Sequence, residues 1–215
     1  IEVQILGDDK NVVSLGERDC SVQRRHQKVI EESPAPRLDD RTRKRIADAA
    51  VKFARKLKYH NAGTVEFLLD AAGDFYFLEL NARIQIEHPV TEMVTGIDIV
   101  KEQISLAAGE RLSINQKSIK STGHAIECRI VAEDPENNWA PASGLMTEFQ
   151  VPGGPGVRVD THMSGDQVVS PHYDSLLAKV ICRGEDRAHA LETARRALTE
   201  FRVSGLPTNR EYLLR

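Results

Sequence analysis

Two short β-prone runs, Thr64–Leu69 and Phe75–Asn81, flank the segment Asp70-Ala71-Ala72-Gly73-Asp74. Aliphatic and aromatic residues on either side of a Gly- and Asp-containing break predict a β-hairpin with a turn of four or five residues. With the turn centred between Asp70 and Phe75, Glu66 lies opposite Glu79 and Thr64 opposite Asn81. Directly opposed Cβ atoms are about 4.5–5.5 Å apart, where two carboxylates repel unless a cation lies between them. Two carboxylates and an amide oxygen are hard donors, suited to Mg2+ or Mn2+ bound together with substrate phosphates such as those of ATP. A register shifted by one residue would instead leave one of the two Glu side chains in solvent.

Beyond Asn81 the chain reads Ala82-Arg83-Ile84-Gln85-Ile86-Glu87 before Pro89 interrupts the alternation. An extended segment would aim Glu79, Asn81, Arg83, Gln85 and Glu87 to one side. A guanidinium there suits a small oxyanion through paired hydrogen bonds, and a neighbouring carboxylate could take a proton from it. The other reading is a solvent-facing edge strand with ordinary alternation. Upstream, Gln23-Arg24-Arg25-His26-Gln27-Lys28 forms a local positive patch, either a phosphate site or a solvated charged loop. Arg129, on the predicted strand Ala125–Val131, is by default a surface or ion-pair residue.

The rest of the sequence sets the frame. Its 215 residues carry 29 Lys plus Arg against 32 Asp plus Glu, so no global field recruits nucleic acid or an anionic membrane. No apolar run approaches the roughly 18–20 residues that span a bilayer, and no export signal is visible, which predicts a soluble chain. Cys20, Cys128 and Cys182 lie too far apart for a zinc motif or disulfide framework and suggest a reducing compartment. An opening Ile1 on a strand already in progress suggests a segment of a longer polypeptide. Helices are expected over residues 39–58, 98–108 and 186–201, and strands over 124–131, 144–151, 157–161 and 176–182. A change of texture near residues 90–96 divides an α+β chain into parts 1–92 and 93–215.

Four stretches together carry a family resemblance: Glu17-Arg18-Asp19-Cys20-Ser21, the Gln23–Lys28 run, Glu79 through Glu92, and Gly123-His124-Ala125-Ile126-Glu127-Cys128-Arg129-Ile130. They resemble biotin carboxylase, the ATP-grasp component of biotin-dependent carboxylases such as the acetyl-CoA, propionyl-CoA and pyruvate enzymes. The resemblance implies the second half of an ATP-grasp domain followed by the biotin carboxylase C-terminal domain. It implies an ATP-dependent ligase that phosphorylates bicarbonate to carboxyphosphate and passes the carbon dioxide to biotin on a carrier protein or domain. Glu66, Glu79 and Asn81 would hold the divalent ions; Gln23 and His26 would contact ATP; Lys28 would lie near bicarbonate and the transferred phosphoryl group. Arg83, Gln85, the backbone of Ile86, and Glu87 would surround bicarbonate, with Glu87 as its base, and Arg129 would stabilise the enolate-like oxygen of biotin.

The same resemblance implies a nucleotide-fold domain and a glycine-rich lid upstream, which this sequence does not contain, so the chain alone is expected to be inactive. A carboxyltransferase component would be a further partner, with the cytoplasm or the mitochondrial matrix as the compartment. Pro155 stands where bacterial family members can have an aromatic residue at the dimer contact, while Arg158 is retained, which leaves the usual homodimer in question. Two other readings share parts of these motifs: a carboxyphosphate-forming ligase akin to carbamoyl-phosphate synthetase, and a non-catalytic scaffold fragment.

Overall fold

A computed structural model describes all residues from Ile1 to Arg215. The chain divides into two compact units, Ile1–Val22 with Glu31–Ala125, and Gln23–Ile30 with Ile126–Arg215.

In the first unit, β1 (Glu2–Asp8) is the inner strand of an antiparallel set. It pairs with β2 (Val12–Arg24) on one side and with β4 (His60–Leu69) on the other. β3 (Gln27–Ser33) completes a hairpin with β2, and α1 (Asp40–Lys56) leads from it to β4. α1 starts where the sequence predicts: the Asp39 carboxylate accepts from the Thr42 N–H at 2.8 Å and caps the first turn. β4 turns through Asp70–Asp74 into β5 (Phe75–Asn81), and α2 (His88–Thr95) and α3 (Ile99–Ala107) follow.

The alternation of β1 and β4 sorts two apolar cores onto opposite faces. Val3, Ile5, Val65 and Phe67 pack with Ile46, Ala50 and Ala54 of α1. Leu6 and Ala62 pack with Ile99 and Leu106 of α3 on the other face. That second face continues past Leu6 into Gln4 paired with Thr64, and Glu2 paired with Glu66. The sheet surface thus passes from apolar to polar along its strands. β1 is buried along its whole length, so Glu2 and Gln4, polar in an alternating run, point inward.

In the second unit, β6 (His124–Val131) and the antiparallel pair β7 (Val157–Thr161) and β8 (Leu176–Gly184) are packed by α4 (Arg187–Glu200). Ala190, Ala194 and Ala197 bring α4 close to β8, and Phe201 closes that core edge-on to Phe149 at 5.3 Å. The run 144–151 forms two short strands, Gly144–Met146 and Glu148–Gln150, because they pair with different partners, Gln167–Val169 and Arg202–Ser204. No helix is long and apolar enough to cross a membrane.

Candidate active site

The β4–β5 hairpin carries the acidic pair. Thr64 pairs with Asn81 and Glu66 with Glu79, the partners that the turn arithmetic gives. Nearer the turn the pairing is Phe67 with Phe77, Leu68 with Tyr76 and Leu69 with Phe75, so Leu78 is an extra residue in β5. This bulge offsets a turn one residue out of step with the distal register. The Asn81 side chain bridges the two acids, its Nδ2 donating to Glu66 Oε1 and to Glu79 Oε1, both at 3.1 Å. Arg83 Nη2 donates to Asn81 Oδ1 at 3.4 Å.

The expected extended run from Arg83 to Glu87 does not form. The ladder ends at Asn81, residues 83–87 bend, and Pro89 sits in the first turn of α2, where its missing N–H costs nothing. Gln85 nevertheless returns to the acidic pair: its Nε2 donates to Glu66 Oε1 at 2.8 Å. His88 Nδ1 contacts the Gln85 carbonyl at 2.8 Å and holds this bend. Ile86 is exposed, whereas Glu87 is buried at the N-terminus of α2. Glu87 gathers with Glu2 and Cys20, one ligand atom of each lying within 4.8 Å of the others.

The sequence reading passes over the residue at the centre of this group. Arg18 is fully buried, and its guanidinium donates to Glu2 Oε1 at 2.5 Å, Gln4 Oε1 and Thr91 Oγ1 at 2.9 Å, Gln85 Oε1 at 3.1 Å and Thr64 Oγ1 at 3.2 Å. Burial opposes its charge, but Glu2, Glu87 and Cys20 outweigh burial and hold its pKa above the ordinary arginine value. The available signal was the polar pair Glu2 and Gln4 inside a strand buried on both faces, since such groups need a buried partner. A second omission is apolar: Leu68 and Tyr76 are each 58% exposed on the carboxylate face of the hairpin.

Glu66 and Glu79 supply two converging carboxylates, the hard-oxygen donors that suit Mg2+ or Mn2+, while Asn81 turns its NH2 toward them and its Oδ1 toward Arg83.

In the second unit, the Gln23–Lys28 run is a hairpin tip rather than a loop. β2 and β3 turn through Arg25 and His26, both with positive φ (49° and 64°), as a two-residue turn between twisted strands requires. Gln23 and His26 are exposed there. Lys28 and Arg129 line one small cavity of about 30 Å³ with Trp139 and Asn209. Arg24 stacks over Trp139 at 4.4 Å from the ring centre, and Trp139 meets Tyr212 edge-on at 4.8 Å. Asn209, buried and likewise absent from the sequence reading, fixes the strand beneath Arg129. Its Oδ1 accepts from the Val131 N–H at 2.9 Å and its Nδ2 donates to the Arg129 carbonyl at 2.8 Å.

Paired strand acids bridged by an amide, followed by a unit that presents a lysine and an arginine to one cavity, define an ATP-grasp unit joined to a second α+β unit. Comparison with known proteins is more particular. Residues 1–115 match the family model of the carbamoyl-phosphate synthase L chain ATP-binding domain, and residues 127–215 match that of the biotin carboxylase C-terminal domain. This chain belongs to the biotin carboxylase family. It is 55% identical to a biotin carboxylase of Nostoc sp., over 97% of this chain and 47% of the relative. It is 52% identical to a biotin carboxylase of Pseudomonas aeruginosa, over 98% of this chain and 47% of that relative. The biotin carboxylase domain of a thermophilic 2-oxoglutarate carboxylase, solved with bicarbonate, superimposes with a TM-score of 0.97 at 47% identity, over 99% of this chain and 48% of that one. A Campylobacter jejuni biotin carboxylase in complex with β,γ-ATP gives 0.96 at 48% identity with the same coverage. The chain spans about half the length of the curated relatives it matches.

Proposed function

We propose that this chain supplies part of the active site of a longer ATP-dependent ligase that carboxylates biotin on a carrier protein or domain. The observation that carries the reading is the cluster Glu66–Asn81–Glu79, with Arg83 and Gln85 hydrogen-bonded to it. Relatives solved with bicarbonate, and with ADP, magnesium and bicarbonate together, support the choice of substrates.

In this mechanism a divalent ion held by Glu66, Glu79 and Asn81 would neutralise charge on the nucleotide phosphates. Gln23 and His26 contact ATP. Arg83, Gln85 and the backbone of Ile86 orient bicarbonate, and Glu87 takes its proton. A bicarbonate oxygen then attacks the γ-phosphorus, the bond to ADP breaks, and carboxyphosphate forms beside Lys28. Carboxyphosphate breaks down to carbon dioxide and phosphate, the phosphate takes the ureido N–H proton of biotin, and the nitrogen attacks the carbon dioxide while Arg129 stabilises the developing oxyanion. Positioning and charge neutralisation are what phosphoryl transfer demands of a protein. A homodimer and a carboxyltransferase partner belong to the same proposal.

The test is bicarbonate- and biotin-dependent ATP cleavage by the full-length protein, wild type against Arg83→Ala. A fall on the order of a hundredfold or more is expected for loss of a group that stabilises developing charge. Equal rates would remove the site assignment. The chain alone is expected to turn over little ATP productively, because water reaches carboxyphosphate when nothing covers the site. A match of residues 127–215 to the biotin carboxylase C-terminal family favours this reading over a carbamoyl-phosphate-forming ligase.

A further inference from the structure

Five acceptors from four segments of the first unit converge on one fully buried guanidinium. Glu2 and Gln4 come from β1, Thr64 from β4, Gln85 from the bend before α2, and Thr91 from α2 itself. Arginine presents its N–H groups in a rigid planar fork, so a guanidinium engaged on every edge has one orientation and imposes it on its partners.

The consequence falls on Gln85. Its amide is a two-ended connector: Oε1 accepts from Arg18 Nη2 at 3.1 Å, and Nε2 donates to Glu66 Oε1 at 2.8 Å. An amide rotated by half a turn would set its NH2 against a cation and its oxygen against a carboxylate, losing both bonds. Glu66 Oε1 also accepts from Asn81 Nδ2, so Gln85 and Asn81 together fix which way that carboxylate points. A chain of hydrogen bonds therefore runs Arg18–Gln85–Glu66–Asn81–Glu79 from the protein interior to the hairpin face. Arg18 also supplies the positive charge at the point where the buried acids Glu2 and Glu87 gather.

We infer that Arg18 is a positioning residue: it locks the side-chain amide of Gln85, and through it the Glu66 carboxylate, in the orientation that the substrate and metal site require. In its kinetic arm this inference rests on the function proposed above. Its structural arm does not.

Arg18→Lys keeps the buried charge beside Glu2 but cannot reach Thr64, Gln85 and Thr91 at once. In the full-length protein, this variant is expected to raise KM for bicarbonate about tenfold, the worth of one charge-assisted hydrogen bond, and to raise KM for magnesium–ATP by less, since Asn81 still holds Glu66. Because Arg18 acts through Gln85, Arg18→Lys added to Gln85→Leu should cost no more than about a further twofold. A crystal structure of Arg18→Lys should show Gln85 Nε2 no longer within hydrogen-bond distance of Glu66. Effects that multiply in the double variant, or a Gln85 unmoved in the crystal, would overturn the assignment. If the wild-type protein shows no bicarbonate-dependent ATP cleavage, the functional reading falls, and the position of Gln85 alone decides the role of Arg18. Should Arg18→Lys fail to fold, Arg18→Gln with Glu2→Gln removes both charges of the buried pair and is read by the same criteria.

Discussion

Glu66 and Glu79 are directly opposed across β4 and β5 only because Leu78 is accommodated as a bulge between them and the turn. The pairs at the turn, Leu69 with Phe75 and Phe67 with Phe77, continued without interruption would set Glu66 against Leu78 and move Glu79 to the face occupied by Val65. The acidic pair thus depends on Leu78 leaving the ladder as a bulge.

Glu79→Gln removes one of the two opposed charges while keeping the bulge and the turn. Magnesium–nucleotide binding by the full-length protein, followed by calorimetry, is expected to weaken by on the order of tenfold or more, as for loss of one charged ligand. Unchanged affinity would show that Glu79 takes no part in holding the metal.

Trp139 is the chain's one tryptophan and lies in the cavity wall with Lys28 and Arg129. Biotin held at the Arg129 guanidinium, over the mouth of this small cavity, should alter its fluorescence, since a ligand there changes the polarity around the ring and its stacking with Arg24. The titration should be saturable in the full-length protein and absent in both Arg129→Ala and Trp139→Phe. A spectrum indifferent to biotin at all concentrations would argue that biotin binds elsewhere.

Gly184, at the end of β8, lies under the first turn of α4. A Cβ added there would stand 2.3 Å from the Ala190 nitrogen and 2.7 Å from the His189 carbonyl carbon, both backbone atoms that cannot swing aside. Gly184→Ala should cost about 1–3 kcal/mol through displacement of α4. Calorimetry should register this as a drop of roughly 2–4 °C in Tm per kcal/mol. An unaltered Tm would mean that α4 shifts freely.

Burial raises the pKa of Asp160, but hydrogen bonds from Arg158 at 2.8 and 2.9 Å and the Lys179 ammonium at 3.3 Å outweigh it, holding the carboxyl below its ordinary 3.8. A depressed folded-state value means that this stabilisation is complete above the unfolded pKa and is lost as pH falls through the folded one. Arg158→Gln should therefore destabilise the protein near neutral pH by about 0.5–1 kcal/mol, a small figure because Arg158 is partly exposed and screened. Denaturant titrations of the two proteins should converge once the pH has fallen through the lowered folded-state value of Asp160, where the carboxyl becomes protonated in both. A constant difference down to that pH would exclude the ion pair as its cause.

Local pattern made much of this fold legible. α1 has its Asp39 cap and its apolar spacing of three and four residues, and α4 its Asp186 cap, because both signals lie within a few residues of the structure they specify. Glu66, Glu79 and Asn81 were legible as a group for the same reason, lying within sixteen residues of one another. The alternation after Asn81 misled, since period two describes a strand only while a neighbouring strand supplies hydrogen bonds, and the ladder stops there. Arg18 was hidden because its partners come from positions up to 73 residues away.

The order of residues alone determined where α1, α3, α4 and the β4–β5 hairpin form, and the family that the chain resembles. Only the tertiary structure decided that Glu2 and Gln4 turn inward to Arg18, that Gln85 comes back to Glu66, and that Leu78 bulges out so that Glu79 keeps the carboxylate face. The physical reason is range: backbone preference and side-chain period act over a few residues, whereas a buried charge is satisfied by whichever distant groups the packed sheet delivers to it.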